Sequence, residues 1–230
     1  MNKRIFSKRI LENEPELIQK AIKFVKDFFL GESSGHDYYH TIRVFRTATQ
    51  IAELEKNQNY VNIEIVKLSA LLHDVDDYKI SPKTYKNKGN AVAFLRENFV
   101  DEDEISKIVE IIGEISFVGI DSVAPKSIEG KIVQDADRLD AIGAIGVGRA
   151  FAYGGKKGRE MFNPEIEPKL NMNEEEYKNN NSSTINHFYE KLLILKNLMN
   201  TDSGKKLAKH RTNFMNNFLD EFFEEWDGNL

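Results

Sequence analysis

One stretch constrains this 230-residue chain more than any other: an apolar, helix-length segment that ends in a crowd of ionisable groups. Between Ile63 and Leu72, residues Ile63, Ile65, Val66, Leu68, Ala70, Leu71 and Leu72 are apolar enough for a buried helix, and His73-Asp74-Val75-Asp76-Asp77 follows at once. A carboxylate buried at the end of such a helix is costly unless a partner compensates it. A divalent cation is the simplest compensation, so the question becomes whether the chain supplies further ligands.

The rest of the chain reads as helices. Asn13-Glu14-Pro15-Glu16 has the proline and acids of a helix start, and Leu17, Ile18, Ala21, Ile22, Val25, Phe28 and Phe29 keep helical spacing until Leu30-Gly31. Glu32-Ser33-Ser34-Gly35 reads as a turn, with a second helix from about Asp37 to Lys56 and a third from Asn62 to about Asp76. Beyond the break at Ser81-Pro82, one helix is expected through Ala91, Val92, Phe94, Leu95 and Phe99, another over Glu104 to Phe117, and a single long one from Ser127 to about Tyr153. Residues 156–183, with two prolines, many asparagines and Glu174-Glu175-Glu176, read as a long loop. Helices over Thr184 to Met199 and Ser203 to Trp226 close the chain. No segment alternates with period two and no repeat is visible, so the expectation is an all-α fold, one domain over residues 1–230.

Composition narrows the function classes. Cysteine is absent, which removes disulfides, thiolate zinc sites and cysteine nucleophiles. The net charge of −5 is spread along the chain, which disfavours duplex nucleic acid but not a small anionic substrate, since a metal and a few cations can reverse the field within one pocket. There is no signal-peptide core and no uninterrupted apolar run of membrane-spanning length, so no membrane partner is expected and the cytoplasm is the default compartment.

Three of the five histidines fall in Gly35-His36-Asp37-Tyr38-Tyr39-His40 and in His73-Asp74, and carboxylates recur in Gln134-Asp135-Ala136-Asp137-Arg138-Leu139-Asp140. Each piece alone is more often a hydrogen-bonded histidine or a solvated acidic face. Together the phrases Gly-His-Asp-x-x-His, Leu-His-Asp-Val-Asp-Asp-Tyr and Gln-Asp-Ala-Asp-Arg-Leu-Asp-Ala-Ile-Gly resemble the HD-domain superfamily of metal-dependent phosphohydrolases, over roughly residues 20 to 155. The resemblance is nearest to its small bacterial YpgQ/YedJ-like branch. It implies a helical bundle with a metal site between core helices.

Matched motif by motif, the resemblance implies His40, His73, Asp74 and Asp137 as metal ligands. Asp137 fills the slot of the Ala-Asp-x-Leu phrase, and Asp135 lies about 200° away on a helix, so both cannot easily face one ion. Asp135 is left as a group behind the ligands, a substrate-side group or a partner of Arg138. Two imidazoles and two carboxylates with room for water suit a single six-coordinate ion, Mn²⁺ first, with Mg²⁺, Co²⁺, Fe²⁺ or Ni²⁺ as alternatives. His187 and His210 lack acidic partners at ligand spacing, so no second ion is expected. Asp77 stands where relatives carry a glutamate that orients or deprotonates the attacking water. His36 fits no ligand slot and is assigned to the substrate or leaving group, or else to a local cap.

Substrate-binding candidates are the cations Arg43, Lys131, Arg138, Lys156 and Lys191. Arg43 could instead pair with an acid to fix the ligand helices, and the basic run Lys156-Lys157-Gly158-Arg159 could instead be a solvated turn. Gly143, Gly146 and Gly148 are not a phosphate loop, because no strand precedes them; they suit the close approach of a neighbouring helix. Phe214, Phe218, Phe222, Phe223 and Trp226 read as packing, or as the seam of a homodimer.

The expected function is hydrolysis of a phosphorylated small molecule. The resemblance points to a nucleoside triphosphate pyrophosphohydrolase, giving monophosphate and pyrophosphate. Alternatives are a nucleotide monophosphatase, a phosphodiesterase, or a catalytically silent sensor of metal and nucleotide.

Overall fold

The structure, a computed structural model, describes residues 13–31, 37–117 and 119–229. His36 and the turn expected at 32–35 lie outside the described residues. The described residues form helices joined by turns, with no strand among them, and no helix is long and apolar enough to cross a membrane.

The helices, numbered in chain order, begin with α1 (Glu16–Phe28), α2 (Tyr38–Glu55) and α3 (Ile63–Leu72). Then follow α4 (Gly89–Glu97), α5 (Glu102–Glu114), α6 (Ile128–Asp140) and α7 (Gly143–Lys156). The C-terminal part holds α8 (Glu174–Asn179), α9 (Thr184–His187) and the long α10 (Asp202–Trp226). Asp37, Asn62, Asp101, Ser127 and Thr201 cap their helices by accepting from first-turn amides, the sequence-local device that starts each one.

α3 is the centre: Val66, Leu68, Ala70, Leu71 and Leu72 are at most 1% exposed, and α1, α2, α5 and α6 pack around it. α2 also runs against α6, so three helices meet at the level of His40, His73 and Asp137.

Several elements depart from the expected pattern. α3 stops at Leu72, and residues 73–88 continue as turns rather than as helix to Asp76. Asp76 is fully buried and accepts from the amides of Asn90 and Ala91, capping α4 across the intervening turns. Phe99 does not belong to α4's apolar face: it follows the helix with φ +59° and is 96% exposed.

The single helix expected over 127–153 is two. α6 ends at Asp140, Ile142 is extended, and Gly143 has φ +77°, a conformation that side chains rarely adopt; a Cβ there would also meet the Arg211 side chain at 3.1 Å. The break redirects α7 onto α10 and leaves Ile145, expected inside, half exposed.

The segment expected as one helix over 184–199 is one α turn, a wider turn over Phe188–Leu192 closed by Leu193 N–H donating to Phe188 O at 2.9 Å, and a tight turn over Leu195–Leu198. α8 grows out of the expected loop because Asn173 and Glu176 cap it reciprocally. The aromatics of α10 pack largely as expected: Phe218 stacks on Phe188 at 5.8 Å and Phe162 lies edge-on to Trp226, while Phe214 is exposed.

Candidate metal centre and cavity

Four electron-rich groups converge where α2, the end of α3 and α6 meet. His40 Nε2 lies 3.3 Å from His73 Nε2, 3.3 Å from Asp74 Oδ2 and 3.4 Å from Asp137 Oδ1. His73 Nε2 lies 3.3 Å from Asp74 Oδ2 and 3.9 Å from Asp137 Oδ1. His40, His73 and Asp74 are buried, whereas Asp137 opens toward the cavity. The structure therefore brings the four expected ligand residues together.

The far side of each imidazole shows which nitrogen is free. His73 Nδ1 is 2.8 Å from the Ala70 carbonyl, which can only accept, so Nδ1 carries the proton and Nε2 the lone pair. His40 Nδ1 is 2.7 Å from Asp140 Oδ2 and is oriented in the same way. With both rings neutral, two nitrogen lone pairs and two carboxylate oxygens face one another without a donor among them. Burial alone would lower the pKa of His73, but the Asp74 carboxylate, then Asp137 and the Ala70 carbonyl, push it up to about 9. His40 is likewise raised, Asp140 and Asp74 outweighing its burial and the charge of Arg149. The group calls for positive charge, and its donor set could hold a divalent ion, which competes with protons for the same lone pairs.

Asp140, the last carboxylate of the 134–140 cluster, organises the rear of the site. It accepts from Arg43 Nε at 2.6 Å, Arg43 Nη2 at 2.9 Å and Arg149 Nη1 at 2.5 Å besides meeting His40. Burial would raise its pKa, but the bonds from His40 and Arg43, with the charges of His40 and Arg149, hold it far below the usual carboxylate range. Arg43, a candidate for substrate contact, is thus committed to Asp140 and ties α2 to the end of α6, the alternative its position allowed.

Asp135 makes no hydrogen bond to the ligand group or to Arg138, though its charge acts on the Arg138 guanidinium. It is fully buried on the opposite side of α6 and accepts from the amides of Asn200 and Thr201, both at 2.8 Å, and from the Thr201 hydroxyl at 2.7 Å. It fastens the start of α10 to α6, helped by Glu55, which accepts from Ser203 N–H at 3.0 Å. Gly204 lets the helix approach: a Cβ there would sit 2.3 Å from Asp135 Oδ2.

The four groups open into a cavity of about 370 Å³, a volume in the range of small-ligand sites. Asp77 lines it, with Oδ1 accepting from Lys79 N–H at 2.8 Å. Apolar wall is supplied by Ile112, Ile115, Phe117, Leu192 and Leu195. Of the other expected substrate cations, Lys191 lines the cavity, while Lys131 and Lys156 do not. Arg138 lines it, nearly buried, and donates through Nη1 to the Leu198 carbonyl, bracing the C-terminal turn, while its buried Nε has no partner among the described residues. The cavity adds cations absent from the expected set: Lys79, Lys88, Arg149 and Arg159. The sequence carried a signal only for Arg159, in the basic run after Gly154-Gly155; Asp140 lies inside the quoted motif and Arg149 beyond it, and neither gives a sign of pointing at His40, about a hundred residues away.

A bundle that presents His…His-Asp…Asp from two helices and the turn that ends a third defines an HD-type hydrolase, and the HD domain model matches residues 37–142. The chain belongs to the HD-domain superfamily. Within it, the chain falls in the YpgQ-like branch: Bacillus subtilis YpgQ is 38% identical over 208 residues, 89% of this chain and 91% of YpgQ. A Lactobacillus plantarum protein of known structure superposes with a TM-score of 0.79 at 37% identity, over 94% of this chain and 99% of that one. An HD-superfamily hydrolase from Bacillus thuringiensis gives 0.70 at 42%, over 92% and 97%. YpgQ itself, solved in complex with ADP, gives 0.70 at 31% in the structural alignment, over 90% and 97%.

Proposed function

We propose that this chain is a metal-dependent phosphohydrolase that cleaves nucleoside triphosphates to monophosphate and pyrophosphate. The observation that carries the reading is the convergence of His40, His73, Asp74 and Asp137 on the wall of a cavity that also holds cations and an apolar face. A nucleotide needs these three surfaces, and YpgQ, similar over nearly its whole length, was solved with ADP.

His40, His73, Asp74 and Asp137 would hold the ion, with Mn²⁺ favoured by the nitrogen–oxygen donor set. Such an ion supplies Lewis acidity, activating water and drawing charge from a phosphoryl oxygen. The chain's own groups do the rest. Asp140 fixes the ring of His40, so its Nε2 needs no reorganisation on binding. Lys79 N–H fixes one oxygen of Asp77, and the other has no protein donor among the described residues; that oxygen orients the attacking water or takes its proton. Arg149 and Lys88 offset the negative charge of the phosphates at the cavity wall, and His36 contributes to the substrate or leaving group. The ligand is a small phosphorylated molecule, and the medium is the cytoplasm.

The test is a turnover assay of the full chain with Mn²⁺ over a panel of nucleoside mono-, di- and triphosphates, with products separated by ion exchange. Pyrophosphate and monophosphate from triphosphates are expected. Orthophosphate from monophosphates would make the chain a monophosphatase, and metal binding without any release would make it a sensor.

A further inference from the structure

The cations of the cavity are of two kinds. Arg149 is paired with Asp140, the charges of Asp76 and Asp77 act on Lys88, those of Asp135 and Asp137 act on Arg138, and Lys79 meets Asp77 through its backbone N–H. Arg159 and Lys191 differ: neither has a carboxylate partner among the described residues. The Lys191 ammonium rests on the rings of Phe117 and Tyr177, 4.7 and 5.4 Å from their centroids. The Arg159 guanidinium donates to the Asn180 carbonyl at 2.8 Å and lies 5.9 Å from the centre of the Tyr153 ring. Aromatic faces and a carbonyl orient these cations without neutralising them, which leaves two full charges on one stretch of wall.

His187 completes the group. It lines the same cavity one helical turn before Lys191, and its ring makes no hydrogen bond to the protein among the described residues. Enclosure by protein, then the charges of Lys191 and Arg159, hold its pKa down at about 3, so at neutral pH it offers one donor and one acceptor and no charge. The wide turn over Phe188–Leu192 presents His187 and Lys191 together, a local irregularity that recurs at functional sites. Buried Glu190 on that turn pins the preceding segment by accepting from Lys169 N–H, Asn180 Nδ2 and Ser182 Oγ. The wall is thus built and held, and it is carried by residues 159–191 rather than by the helices of the ligand group.

We propose that Arg159, His187 and Lys191 form an anion subsite that takes the terminal phosphates of the substrate, at a place in the cavity separate from the metal-binding residues. The inference deepens the proposed function and rests on it for the word substrate. Two unneutralised cations and an uncommitted N–H suit a diphosphate group better than a single phosphate, so the subsite selects triphosphates and retains pyrophosphate.

Inorganic pyrophosphate titrated into the full chain, freed of metal with chelator, tests this by calorimetry. Lys191→Gln is expected to weaken binding at least about tenfold, the loss of one charge-assisted contact, and Lys191→Arg to restore it to within about threefold. His187→Gln is expected to weaken it about threefold to fivefold, as for a neutral hydrogen bond. Asp74→Asn, which removes a negative charge from the ligand group, is expected to change pyrophosphate affinity by less than about threefold. Equal affinity of the Lys191→Gln and parent proteins would overturn the subsite, as would a gain of about tenfold or more confined to Asp74→Asn, which would put the anion against that carboxylate. Lys191-dependent binding in a protein that hydrolyses no nucleotide would leave the subsite standing and remove the proposed reaction. Hydrolysis with binding indifferent to Lys191 would do the reverse.

Discussion

The two walls of the cavity are held together by different physics. The wall of α2, α3 and α6 is regular helix, its apolar faces buried side by side, with His40 and Asp137 on the helices and His73 and Asp74 on the turn that directly follows α3. The wall of residues 153–195 is short turns, held by polar groups such as Glu190 and the Arg159 contact with the Asn180 carbonyl. The first supplies positions that cannot drift, which a metal requires; the second supplies side chains whose placement depends on a few buried hydrogen bonds. Metal chemistry should therefore tolerate damage to the second wall, and substrate affinity should not.

The largest expected effect tests the first wall. Asp74→Ala should abolish metal binding by elemental analysis and lower turnover by about 10³-fold or more, in line with loss of metal-assisted chemistry; a metal-replete, active variant would remove the ligand assignment. Next comes the seam between the halves. Asp135→Ala leaves three buried donors on Asn200 and Thr201 without their acceptor, at a cost of about 3 kcal/mol in urea unfolding, yet the remaining folded protein should bind metal normally. If that variant lost metal without losing stability, Asp135 would belong to the site after all.

The second wall has a pH signature. Because the pKa of His187 is lowered from 6.5 to about 3 in the fold, folded and unfolded chains hold it equally neutral above pH 6.5. As pH falls from 6.5 toward 3, the unfolded chain takes up a proton that the folded one refuses, so stability is lost. Between pH 7 and 4.5 the parent should lose about 2 kcal/mol more than His187→Gln; equal losses would mean that the ring is solvated rather than enclosed. Glu190→Gln, which turns an acceptor into a donor facing donors, should cost about 1–2 kcal/mol and raise KM while sparing metal affinity. The smallest effect is at Asp77→Asn: metal retained and kcat down about tenfold, less than the ~10²-fold lost with a full general base, because the amide still orients the water.

The contrast between the walls also explains what could be read in advance. α1, α2, α3 and α5 follow from apolar spacing and capping residues, and the ligand set follows from motifs that sit on them. The break at Ala141-Ile142 did not show, because Ile142 and Ala144 keep apolar spacing through it and only Gly143's conformation betrays the turn. Arg43 and Arg138 looked like substrate cations because their partners, Asp140 and the Leu198 carbonyl, are remote in sequence. Asp135 looked like a site residue because helical phase shows that it faces away from Asp137, not what it faces.

The amino-acid order by itself determined the helical class and the buried third helix, since periodicity and caps are local properties, and its resemblance to the HD-domain superfamily singled out His40, His73, Asp74 and Asp137. Only the tertiary structure decided which charges are neutralised and which stand open to the cavity. An ion pair depends on distances between residues up to a hundred positions apart, and those are set by packing.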